Sequence, residues 1–249
     1  MISKLAHKIS HKLSLLYLKP IRVFVFHHVS DVMDPLMCGE SDWTQLSVFK
    51  SNLQKMQNRF TFISLQEAIE HLKNNRIRLR NYAVLTADDG LRSTYEMLPW
   101  LSERKIPITL FICPKYLDGH SYIPIDEERV HAQYPDVDMS EVASRMFITP
   151  EQLQSIQSSL VTVASHGYIH LDVHSSSMEE FKKDVNLAKM VLLTHPLYKP
   201  FFAYTWGHHS TKTDEWLMQE GLVPVLCDGR MNYKWTGVIS RECIDNVKI

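Results

Sequence analysis

Short apolar runs alternate with amphipathic helical stretches from about residue 21 onward, and that rhythm narrows the fold more than any other feature of the chain. The runs cover 21–26, 60–63, 82–87, 108–113, 161–164, 201–204, 223–227 and 237–243. Continuous apolar runs of this kind fit parallel strands covered on both faces. Helical patterns fall between them. At 43–58, Leu46, Phe49, Leu53 and Met56 form one stripe, with Asp42 or Thr44 as candidate caps. Further helices are expected at 65–74, at 93–105 with Pro99 tolerated inside, and at 211–221. Thr149, Pro150 and Gln152 open one at 149–160, and the capping box Ser177–Glu180 opens another that runs to about 193.

Strand–helix alternation leaves two architectures, a closed barrel or an open doubly wound sheet. No glycine-rich dinucleotide fingerprint follows any run, and glycine is scarce at 8 residues. Polar residues gather instead at several strand C-termini: His27, Asp88, Asp89, His166 and Trp206. Catalytic groups spread over many strand ends belong to the C-terminal face of a barrel. The expected fold is therefore α/β, a distorted or incomplete (β/α) barrel of about seven parallel strands with its site on that face. One domain spans 1–249, with 1–20 as a helical extension and 114–148 as a long loop or insertion holding one helix from Ser140.

Charge excludes some partners. Lys plus Arg is 27 and Asp plus Glu is 28, so neither nucleic acid nor an anionic membrane is expected. The N-terminal apolar patch at Leu15, Leu16, Tyr17 and Leu18 is too short for a secretory segment, and no apolar run is long enough for an integral membrane segment. A cytoplasmic protein is the expectation. Cys38, Cys113, Cys227 and Cys243 show no Cys-x-x-Cys and read as reduced thiols.

The chemistry is concentrated at two strand ends. Run 82–87 stops at Asp88-Asp89-Gly90. In a regular strand the two acids would face opposite ways, but positive φ at Gly90 lets both reach one rim site. Two adjacent acids there are costly without a cation. Run 161–164 is followed by His166-Gly-Tyr-Ile-His170. On a helical turn these two imidazoles, four apart, share a face. Two histidines and one strand-end aspartate make three protein ligands with open positions, the composition of a catalytic metal site. The competing account is a chance pair of solvated histidines, since the chain holds 13.

These motifs resemble those of the polysaccharide deacetylases of the NodB-homology family (carbohydrate esterase family 4). Thr86-Ala87-Asp88-Asp89-Gly90 resembles the family's Thr-Phe-Asp-Asp-Gly, and His166–His170 its His-Ser/Thr-x-x-His. Phe202-Ala203-Tyr204-Thr205-Trp206-Gly207 resembles its Phe-Ala-Tyr-Pro-Tyr-Gly variant, and Phe26-His27-His28-Val29 the Tyr-His-x-Val of the same branch. The resemblance implies a metal-dependent N- or O-deacetylase acting on an acetylated saccharide. Asp89, His166 and His170 would bind the metal, usually zinc, and Asp88 would be the general base. The Trp206 backbone N–H would meet the oxyanion, with Trp206 and Tyr204 toward substrate.

The departures are specific. Ala87 replaces the motif's Phe, Thr205 its Pro and Trp206 its Tyr. The third motif's Arg is missing, and Arg241 is the candidate substitute. The late Leu-x-His that donates the general acid is also missing, and His27 is the candidate substitute against an equally weighted structural role. His208 and His209 read as solvated, Cys113 as a buried strand cysteine, and Tyr168 and Trp235 as candidate platform aromatics. Two other functions stay open: a catalytically degenerate glycan-binding barrel, and a non-haem iron enzyme built on the same Asp-His-His set.

Overall fold

The computed structural model describes residues 19–31, 43–74, 78–123 and 127–244. The expected helix at 1–20 lies almost wholly outside them, as do Cys38 and the candidate cap Asp42.

The strands are β1 (Ile21–Phe26), β2 (His28–Val29), β3 (Trp43–Thr44), β4 (Thr61–Phe62), β5 (Tyr82–Ala87), β6 (Ile108–Ile112), β7 (Val161–Ser165), β8 (Tyr198–Ala203), β9 (Val223–Leu226), β10 (Ile239–Ser240) and β11 (Glu242–Cys243). The main sheet runs β10-β9-β8-β7-β6-β5-β1-β11, with β4 beside the start of β5. Its ladders are all parallel.

The last apolar run departs from expectation in the way that matters most. It is not one strand but two, at opposite ends of the sheet. β10 pairs β9, and β11 pairs β1. Arg241 sits between them, its N–H donating to the Leu226 carbonyl at 2.8 Å and its carbonyl accepting from Gly229 at 2.9 Å. One short segment thus bridges both edges and nearly closes the sheet into a barrel, which hides edges that would otherwise invite pairing.

Alternation along the strands sorts side chains into two layers. Val23, Val84, Phe111, Ala164, Phe201, Val225 and Ile239, from seven strands, meet in one cluster on the concave face. Leu65, Ala68, Ile69 and Leu72 of helix Leu65–Lys73 join it. Phe24, Phe26, Leu85, Leu110 and Val163 point the other way. They pack on Phe49, Leu53 and Met56 of helix Leu46–Gln57 and on Met97 and Leu101 of helix Arg92–Glu103.

Helix Leu46–Gln57 starts later than expected because Trp43 and Thr44 pair with His28 and Val29 in a separate parallel ladder. Gln45 takes the cap position, and Thr44 lies in β3 instead. The helix after Thr149 keeps its capping box with Gln152 but ends at Ser155, where Ile156 turns extended and enters the core. The box at Ser177 and Glu180 opens helix Met178–Leu192, which buries Phe181, Val185, Ala188 and Leu192.

The 114–148 stretch carries more structure than one helix: a 3₁₀ turn at Pro114–Asp118 and helices at Glu127–Gln133 and Met139–Met146. Val130, Val142 and Met146 cluster there with Leu91, Cys113, Tyr116 and Phe147. Its end is tied to the acidic turn, since Ile148 N–H donates to the Gly90 carbonyl at 2.9 Å.

Candidate metal centre and active site

Two strand ends, those of β5 and β7, supply the centre. Asp88 continues the inward alternation of Val84 and Thr86 on β5, and His166 that of Ala164 on β7. Asp89 would face outward, but its own backbone is left-handed at φ 70°, followed by Gly90 at φ 76°. The turn therefore begins one residue earlier than expected, at the carboxylate itself. It brings Asp89 Oδ1 within 3.3 Å of His166 Nε2 and 3.4 Å of His170 Nε2. Few non-glycine residues adopt positive φ, and such strain concentrates at functional sites. Of the four among the described residues, three lie in this one neighbourhood: Asp89, His170 (φ 56°) and Trp206 (φ 57°).

The segment from His166 to His170 is not the helical turn read from its spacing. It is an irregular loop with Gly167 at φ 76° and His170 also left-handed. Asp184, buried on helix Met178–Leu192, holds it. The Tyr168 N–H donates to Asp184 Oδ2 and the Ile169 N–H to Oδ1, both at 2.9 Å. A side chain on Gly167 would start 2.5 Å from Asp184 Oδ2, so glycine is needed for packing as well as for φ. Tyr116 Oη–H donates to the Ile169 carbonyl at 2.8 Å, and Cys113 Sγ–H to the His166 carbonyl at 3.1 Å. Burial pushes the Cys113 thiol well up, so it stays protonated.

The fit to a metal can be tested on the donors. His166 Nδ1 lies 2.9 Å from the Ala203 carbonyl. That acceptor requires the proton on Nδ1, so in the neutral ring the lone pair is on Nε2. Among the described residues no donor reaches the buried Asp89 Oδ1 in hydrogen-bond geometry. With both rings neutral and Nε2 unprotonated, lone pairs of His166 and His170 would converge on the Asp89 carboxylate, an arrangement a cation would satisfy. Ligand atoms about 2.1 Å from an ion at a tetrahedral angle stand about 3.4 Å apart. The observed 3.3 and 3.4 Å match that spacing. Asp89, His166 and His170, all buried, could hold a divalent metal such as zinc.

Asp88 is held separately. Arg241 Nη1 donates to its Oδ1 at 2.7 Å and Nη2 to its Oδ2 at 2.8 Å, with Nη1 also 3.2 Å from Thr86 Oγ1. The guanidinium lies over the Phe111 ring. Both residues are almost fully buried. Burial alone would push the Asp88 carboxyl up, but the Arg241 and His166 charges outweigh it and hold it below the usual range. Asp89 follows the same pattern more strongly, against His166 and His170. The positional candidate Arg241 therefore stands where a missing motif arginine would be needed.

The other candidates separate cleanly. His27, half-buried just past the end of β1, lies on the strand end next to that of Asp88 and Asp89. His28 is buried against Ser93, with Nδ1 3.1 Å from its Oγ. Trp206 is 53% exposed and sets its ring edge against His170, centroids 4.9 Å apart. Tyr204 is not brought to the site. Its ring is enclosed by Phe181 and Phe202, and its hydroxyl donates to Asp214 at 2.8 Å. Trp235 packs against the concave-face cluster with Lys73 over its ring. His209 pairs with Asp214 and His208 with Asp172.

A family model described as polysaccharide deacetylase matches residues 76–225. The chain belongs to that family. The match covers the Asp-Asp-Gly turn, the His166–His170 loop and the Trp206 turn, so the motifs that resemble NodB-type carbohydrate esterases are the family's own. Solved structures share the fold. IcaB from Ammonifex degensii aligns at TM-score 0.69 and 20% identity over 90% of this chain and 91% of that one. The Streptococcus pyogenes deacetylase PplD, solved in complex with acetate, aligns at 0.70 and 17% over 90% and 92%. A de-N-acetylase from Aggregatibacter actinomycetemcomitans aligns at 0.67 and 16% over 90% and 94%. No curated protein matches the chain by sequence. The fold positions its polar residues at the strand C-termini; of two residues that steady them, Asp184 gave no sequence signal and Arg241 was a candidate on position alone. Asp184 sits in an ordinary amphipathic helix, and Arg241 interrupts a run that reads as one strand.

Proposed function

We propose that the protein is a metal-dependent deacetylase that hydrolyses acetyl groups from an N- or O-acetylated saccharide. The observation that carries this reading is the bidentate Arg241–Asp88 pair beside the Asp89–His166–His170 set. A barrel that only bound glycan would have no use for a buried carboxylate held ionised next to a metal triad.

A divalent cation bound there would supply an acidified water and polarise the acetyl carbonyl. Asp88, kept ionised by Arg241, accepts the proton of the attacking water as its oxygen bonds to the acetyl carbon. The backbone N–H of Trp206 donates to the developing oxyanion. His27, on the neighbouring strand end, gives a proton to the departing amine or alcohol as the bond to the acetyl carbon breaks. Acetate and the free sugar group are the products. The exposed Trp206 ring offers a face to a sugar at the mouth.

Acetate release from N-acetylglucosamine oligomers and from O-acetylated saccharides, with added zinc, tests the reading. Release that disappears in Asp88→Asn while zinc stays bound supports it. Saccharide binding without release from either class would replace it with the degenerate glycan-binding alternative.

A further inference from the structure

Outside the metal centre, Asp172, His174 and His208 form a second group of ligating side chains, with ligand atoms that all lie within 4.8 Å of one another. His208 Nδ1 is 2.8 Å from Asp172 Oδ1. The His174 and His208 rings stack, centroids 4.0 Å apart and planes 14° from parallel. The His174 N–H donates to Asp172 Oδ1 at 2.8 Å and the Ser175 N–H to the Asp172 carbonyl at 3.2 Å, so the carboxylate is set in place by its own turn.

The group joins two loops that already touch in sequence order. His170 meets Trp206 edge to face, Thr205 Oγ1–H donates to the Leu171 carbonyl at 2.5 Å, and Asp172 pairs with His208. Asp172 lies two residues beyond one metal-ligand candidate, His170, and His208 two residues beyond Trp206.

We propose that Asp172, His174 and His208 bind a second divalent cation, of the zinc class, at the mouth of the site. One carboxylate and two imidazoles are the donor set that borderline cations favour. An ion needs lone pairs that converge, and these lie in the ring planes, so parallel rings cannot both serve one ion as they stand. His174 is the exposed member and would turn by side-chain rotation, giving up its stacking contact, while His208 would shift its proton from Nδ1 to Nε2 and exchange its hydrogen bond to Asp172 for coordination. That exchange, together with solvent access, makes this the weaker of the two sites. With three protein ligands the ion keeps open positions for water or for a hydroxyl or anionic group of a bound ligand. Occupancy would cross-link the His166–His170 loop to the Trp206 turn. The assignment does not depend on the hydrolytic reading.

Zinc titration of chelator-stripped protein by equilibrium dialysis tests it. Wild type should take up two ions per chain, the second at least roughly tenfold weaker than the first. His174→Ala and His208→Ala should each take up one. Asp89→Asn should weaken the first and keep the second. These histidines lie at the surface, so retained filling of the first site shows that the variants are folded. Saturation of wild type at one ion overturns the proposal, as does a second ion that persists unchanged in both histidine variants.

Discussion

Arg241 donates two hydrogen bonds to Asp88, one to each carboxylate oxygen, from the point where the last strand segment leaves one edge of the sheet for the other. Barrel closure and the ionisation of the proposed base therefore hang on the same residue. Arg241→Gln should cost about 3–5 kcal/mol, because it leaves a buried carboxylate uncompensated. The sign with pH follows from the lowered Asp88 value. Its stabilisation is present above the ordinary aspartate range and is lost as pH falls through the folded-state value. The stability gap between wild type and Arg241→Gln should be widest near neutrality and narrow on acidification, as read by urea unfolding at a series of pH values.

Asp184 touches neither substrate nor the proposed metal, yet both its oxygens hold the loop that carries the two histidines. Asp184→Asn turns one acceptor into a donor facing a backbone N–H. Zinc affinity of the first site should fall about 10–100-fold. Competition against a chromophoric chelator measures this, with circular dichroism to show that the fold persists.

His27→Ala should lower kcat about 10²–10⁴-fold, the usual span for a lost general acid, while zinc uptake at the first site stays unchanged. The effect should be larger on amide than on ester substrates, since an alcohol leaves more readily than an amine. Equal kinetics for wild type and variant on both would assign His27 to a structural role instead.

Local signals made much of this legible. β1 and β5 have the bounds read from their apolar runs, and the Thr149–Gln152 and Ser177–Glu180 boxes form because their partners are three residues apart. Asp89 and His166 could be grouped because each follows a strand, and His170 because it lies four residues beyond His166. Long-range partnership was not legible. Nothing in the 237–243 run says that Ile239 seeks β9 while Glu242 seeks β1, where its carboxylate meets the distant Arg22. Spacing of i, i+4 suggested a helical turn for the histidines, whereas the backbone takes its shape from the distant Asp184 carboxylate. Tyr204 shares a motif with Trp206, but strand alternation sends its ring outward beneath helix Met178–Leu192.

The most direct test is acetate release from an N-acetylated saccharide oligomer by chelator-stripped protein, before and after zinc is returned. Release should vanish on stripping and recover with the first equivalent of zinc, and Asp89→Asn and His166→Ala should not recover. Undiminished release from fully metal-free protein, or recovery in those variants as complete as in wild type, would contradict a hydrolytic centre built on Asp89, His166 and His170.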